Sequence, residues 1–108
     1  MYGNKIIEIV ETNKFLILLS KYSEDQIEHT IHTFFRLSQK QKQIYTEKEL
    51  RQIITKEKPF LVGLQYNGNY AAFYLYHDKT LKIIISLETR KVNIVTFYFI
   101  NKWQIPRI

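Results

Sequence analysis

Cysteine is absent from the chain, which excludes a disulfide framework, a thiolate zinc site and a cysteine nucleophile. Proline and glycine are scarce, two and three residues respectively, so there is little material for long disordered segments. No apolar run approaches the roughly 20 residues needed to span a membrane. The stretch after Met1-Tyr2-Gly3-Asn4 is short and charge-interrupted, without the basic start and long apolar run of a secretory signal. These absences predict a cytoplasmic protein that does not engage membranes. Acidic residues are also few: ten Asp and Glu stand against sixteen Lys and Arg, for a formal net charge of +6. The imbalance is uneven, with ten basic and eight acidic residues in 1–60 but six and two in 61–108. Such charge favours an anionic partner, whether RNA, DNA or an acidic protein, without choosing among them.

What is present fits one ordinary globular unit. The 108 residues supply a single core, 45% of them hydrophobic and 24% charged, and the expectation is one domain over 1–108. Lys5 to Glu11 and Lys14 to Tyr22, separated by Thr12-Asn13, read as a β-hairpin. Leu16 to Leu19 is continuously apolar, however, and a buried helical turn would look the same. Ser23-Glu24-Asp25-Gln26 has the form of a capping box and predicts a helix running to about Gln43, with Ile27, Ile31, Phe34 and Phe35 on its core face. Thr46-Glu47-Lys48-Glu49 is a second capping box, opening a shorter helix with Leu50, Ile53 and Ile54 on one face and Pro59 as its stop.

From Phe60 the pattern changes to strands. Phe60 to Tyr66, Tyr70 to His77, Leu81 to Glu88 and Val92 to Ile100 are separated by Asn67-Gly68-Asn69, Asp78-Lys79-Thr80 and Thr89-Arg90-Lys91, which predicts a four-stranded meander. The predicted fold class is α+β: an antiparallel sheet in the order ββααββββ, with two helices packed on one face.

On the predicted first helix, His29, His32 and Arg36 are spaced i, i+3 and i+7 and fall within about 60° of one another, opposite the Ile/Phe stripe. Imidazoles beside a guanidinium suit phosphodiester cleavage by a neighbouring 2′-hydroxyl. One His takes the hydroxyl proton, a second protonates the leaving oxygen, and Arg stabilises the phosphorane charge without a metal or cofactor. The same placement suits a solvated helix face. A metal site would need more ligands than His29 and His32, and His77 belongs to a distant strand end, so none is expected.

In the last strand Val92, Ile94, Thr96, Tyr98 and Ile100 alternate with Asn93, Val95, Phe97, Phe99 and Asn101. Phe97 and Phe99 mark the second set as the helix-covered one, leaving the hydroxyls of Thr96 and Tyr98 on the other face or at a cleft. Thr and Tyr are also simply good strand formers. Tyr66, Tyr70, Tyr74, Tyr76 and Tyr98 lie on sheet segments that also carry Lys79, Lys82, Arg90, Lys91 and Lys102. Aromatic side chains beside cations are a means of holding single-stranded nucleic acid. Of these, Tyr74, Tyr76, Lys82, Arg90, Lys91 and Lys102 are the candidate nucleic-acid contacts.

The succession of a His- and Arg-bearing helix, a short helix, a hairpin and the strand pair Leu81 to Tyr98 resembles the small ribonucleases grouped with barnase, EndoU, colicin D and RelE. The resemblance covers roughly residues 23 to 100. The N-terminal segment and the stretch between Arg36 and Phe60 have no counterpart in it. It implies a base or acid at His29 or His32, a phosphate contact at Arg36 and a site hydroxyl at Thr96 or Tyr98. The function it implies is a metal-independent endoribonuclease of toxin or mobile-element type, yielding a 2′,3′-cyclic phosphate and neutralised by an acidic protein partner. The competing expectation is a non-catalytic module binding nucleic acid or protein, such as a virus- or plasmid-encoded inhibitor.

Overall fold

Apolar residues alternate on both faces of the C-terminal strands, and such strands need covering on each side. The computed structural model describes residues 5–29, 47–76, 79–101 and 105, excluding the side chains of His29, Glu47, Lys48, Tyr76 and Tyr98. Among these residues the chain runs through β1 (Ile6–Val10), α1 (Thr12–Leu19), a 3-10 turn (Glu24–Gln26), β2 (Ile27–His29), α2 (Glu47–Lys56), β3 (Leu61–Gln65), β4 (Tyr70–Tyr76), β5 (Lys79–Leu87) and β6 (Val92–Ile100). The strands form one sheet in the order β1-β3-β4-β5-β6-β2. All neighbours are antiparallel except β2, which runs parallel to β6. The α+β class and the β3–β6 meander agree with the sequence reading.

The element order does not, and the first departure is at the expected N-terminal hairpin. Its first arm is β1, but Thr12 opens a helix instead of turning into a second strand. Burial shows why. Phe15 is fully buried whereas Ile17, which would share its face in a strand, is 62% exposed. The Phe15-Leu16-Ile17-Leu18-Leu19 run therefore presents one helical stripe to the core, and β1 pairs with β3.

The second departure follows Ser23. The capping box forms, with the Ser23 backbone N–H donating to Gln26 Oε1 at 2.8 Å, but it closes one 3-10 turn and no longer helix. Ile27 is already extended, at φ −88° and ψ 117°, and its side chain is buried in the core beside Val92. Burial of Ile27 and parallel pairing with β6 replace the helix expected over Ile27 to His29. The rest of that expected helix lies outside the described residues. The predicted ββααββββ order is thus corrected to strand, helix, strand, helix and four strands among the described residues.

Both helices cover one sheet face. Phe15 from α1 and Leu50, Ile53 and Ile54 from α2 pack on Val62, Ala72, Tyr74, Leu81, Ile83, Ile85, Val92, Ile94 and Phe97. The opposite face carries a second cluster of Leu61, Ala71, Phe73 and Ile84, joined by the half-buried Ile6, Val95, Ile100 and Ile105. Gly63 on β3 allows Ile6 to lie against this face, because a Cβ there would meet Ile6 Cγ2 at 2.7 Å. In β6 a bulge overturns the simple alternation. Ile84 is in register with Thr96 and Ile85 with Ile94, which makes Val95 the extra residue of the bulge. Val92 and Ile94 consequently share the helix-covered face with Phe97 and Phe99, while Val95 joins the other.

Candidate nucleic-acid interface

The β5–β6 turn, Glu88 to Lys91, carries Arg90 and Lys91 at the end of the sheet where β2 begins. It is closed by the Glu88 N–H donating to the Lys91 carbonyl at 2.9 Å. The segment after α1 fastens it from outside. The Tyr22 hydroxyl donates to the Glu88 carbonyl, and Gln26 Nε2 donates to the Arg90 carbonyl at 2.9 Å. Lys91 Nζ lies 3.5 Å from Glu28 Oε2, with both side chains about half exposed. This ion pair is worth at most about 1 kcal/mol in such solvent contact. Arg90 is exposed, and no ion pair to it occurs among the described residues. The turn lines an open concavity with Leu87 and Thr89. Gln26 therefore has two tasks: its carbonyl oxygen caps the 3-10 turn and its amide nitrogen positions the cationic turn.

The other candidate residues are dispersed. His29 ends β2, with its backbone in register with Ile94 of β6. Since it lies on a strand, the i, i+3, i+7 helix arithmetic does not relate it to His32 and Arg36, both of which lie outside the described residues. Lys102 also lies outside them. Thr96 is half-buried opposite Ile84, on the face away from the helices, and the backbone of Tyr98 is opposite Lys82. Tyr76 pairs through its backbone with Lys79.

Lys82 is half-buried, its Nζ 5.5 Å from the centroid of the Phe73 ring across the strand pair. It stands well along β5 from the turn. Tyr74 needs a correction: it is 1% exposed, within the core between helices and sheet, and offers no ring face to a base. Its hydroxyl has no hydrogen-bond partner among the described residues, and burial, then the charge of Glu57, push its ionisation far above the ordinary tyrosine range. The strand pattern hides this because both sets of alternating residues in β4 are apolar or aromatic, with Ala71 and Phe73 buried on one face and Ala72 and Tyr74 on the other.

Sequence reasoning also passes over Tyr22 and Glu28, which fasten the turn, and Phe60, an exposed ring at the mouth of β3. No local signal marks Tyr22, whose partner is 66 residues away. Among the described residues no group of three or more His, Asp or Glu side chains is arranged to hold a metal ion, and no helix is long and apolar enough to cross a membrane. No protein-family model, curated protein or solved structure matches this chain.

Proposed function

We propose that the protein is a nucleic-acid-binding module, with RNA as its first candidate ligand, and that the β5–β6 turn grips phosphate. The observation that carries this reading is that an exposed cationic turn is fastened at Glu88, Arg90 and Lys91 by three side chains from one upstream segment. A cation on a held turn loses less conformational freedom on meeting a phosphate than one on a loose loop. The net charge of +6 supplies the long-range attraction. Binding in this way needs neither metal nor cofactor, and an acidic protein covering Arg90 would neutralise it.

The metal-independent endoribonuclease of toxin type is the second reading, and β2 is the observation in its favour. The strand that ends at His29 is hydrogen-bonded to β6, the strand that carries Thr96 and Tyr98, although Ile94, in register with His29, faces the helices and Thr96 faces away from them. In that reading His29 takes the 2′-hydroxyl proton and Thr96 or Tyr98 contacts the phosphate, with His32 and Arg36 as acid and charge stabiliser. Incubation with total RNA in EDTA separates the two. Retention of RNA without strand scission supports the binding module. Scission leaving 2′,3′-cyclic phosphate ends, and abolished in His29→Ala, replaces it with the nuclease.

A further inference from the structure

At the end of the sheet remote from the β5–β6 turn, the chain enters β3 through Pro59 and Phe60. Pro59 is buried, and the Phe60 N–H donates to the Phe73 carbonyl at 2.9 Å, so the backbone beneath the Phe60 ring is held. Phe60 is nonetheless 42% exposed. Its ring is tilted against that of Phe73 with centroids 6.3 Å apart, and Lys82 Nζ stands 5.5 Å from the same Phe73 centroid. Leu75, on the face of Phe73 and 71% exposed, extends the apolar shelf. Lys56 and Lys58, both exposed, lead into it on either side of Glu57.

We infer that Phe60 is a base-stacking platform, with the exposed Lys58 as the cation for the adjoining phosphate, and that the ligand is a single-stranded nucleic acid. This rests on the nucleic-acid reading of the β5–β6 turn. A half-exposed ring on a held backbone, two residues after the exposed Lys58, matches the two chemistries of one nucleotide: a π surface and an anion. An apolar peptide side chain would use the shelf but not the cation. A base inside a duplex cannot reach the ring, so the platform selects single strands. Lys82 and Glu88 are six residues apart along β5 and into its turn, roughly 20 Å at about 3.3 Å per residue. One ligand of a dozen nucleotides spans both ends of the strand, within the roughly 4 to 16 nucleotides that compact single-strand binders occupy.

The experiment compares a twelve-residue oligouridylate with an abasic ribose-phosphate chain of the same length, binding each to wild type, Phe60→Leu and Phe60→Trp. Phe60→Leu keeps apolar bulk on Phe73 and removes the ring, so a folding defect is not built into the variant. Wild type should bind oligouridylate more tightly than the abasic chain. Phe60→Leu should lose about tenfold on oligouridylate, within the range that a stacked base supplies, and nothing on the abasic chain. Phe60→Trp should retain affinity, and its added fluorescence, above that of native Trp103, should be quenched by oligouridylate alone. Equal wild-type affinity for the two chains, or no loss in Phe60→Leu, overturns the stacking platform and leaves the phosphate-gripping turn standing. Failure of wild type to bind either chain overturns both.

Discussion

Gln26 and Arg90, 64 residues apart, are joined by a hydrogen bond from the Gln26 amide nitrogen to the Arg90 carbonyl at 2.9 Å. The same side chain accepts from the Ser23 backbone, so a helix-start motif is used to hold a turn on the far side of the chain. Replacing Gln26 by Ala removes both bonds at a half-buried site. The expected cost is about 0.5 to 1.5 kcal/mol per net hydrogen bond, read as a lower melting temperature. Hydrogen exchange at the Glu88 and Lys91 amides should quicken more than at the core amides of β4. Unchanged exchange in the turn would show that Gln26 does not hold it.

The close approach of Ile6 to Gly63 gives a second expectation. A Cβ at position 63 would lie 2.7 Å from Ile6 Cγ2 and 2.9 Å from Ile6 Cδ1, inside any tolerable contact. Gly63→Ala should therefore destabilise by about 1 to 3 kcal/mol, the usual cost of overpacking. Adding Ile6→Ala should return part of that loss. Denaturant titration of the two single variants and the double variant measures the coupling, and strictly additive effects would contradict the close approach.

Tyr74 supplies a pH-dependent test. Its hydroxyl is buried and has no hydrogen-bond partner among the described residues, and its ionisation in the folded state is pushed above the unfolded value of about 10. Below that value both states hold the proton and Tyr74 contributes no pH dependence. Above it the unfolded state releases the proton first, so stability is lost as the pH rises from about 10 toward the folded-state value. Tyr74→Phe should be neutral or stabilising at pH 7, since it removes an unsatisfied buried group. It should also melt with a shallower alkaline decline than wild type, and bind RNA unchanged. Parallel alkaline declines would place the hydroxyl in contact with water.

The contrast between legible and hidden features follows the range of the interactions. α2 and the meander are legible because Leu50, Ile53 and Ile54 share a helical stripe and Asn67-Gly68 marks a turn, where Gly68 takes φ +89°. These are local signals. α1 is hidden because an unbroken apolar run has no period of its own, and only the core decides which residue, Phe15 or Ile17, goes inside. The Ser23 capping box is readable as a turn start, but the extended path after it depends on Ile27 finding Val92, 65 residues later. The Val95 bulge carries no glycine or other mark in the sequence, so β6 reads as a continuous alternation until its pairing with β5 is known. Arg90 and Lys91 are legible as turn cations, whereas the side chains that fasten them are not, because they come from the other end of the chain.

The claim that the β5–β6 turn grips phosphate is tested most directly by the salt dependence of RNA binding in wild type and in the Arg90→Ala, Lys91→Ala double variant. Thermal melts of the two should nearly coincide, because the Lys91–Glu28 pair is half exposed and exposed changes usually stay within about 0.5 kcal/mol. Wild-type affinity should fall steeply between about 50 and 200 mM salt as counterions are released. The double variant should bind more weakly at low salt, with its log–log slope shallower by about 0.7 for each single-strand phosphate that it no longer neutralises. Wild-type affinity that is insensitive to salt, or a double variant with the affinity and slope of wild type, would contradict the account.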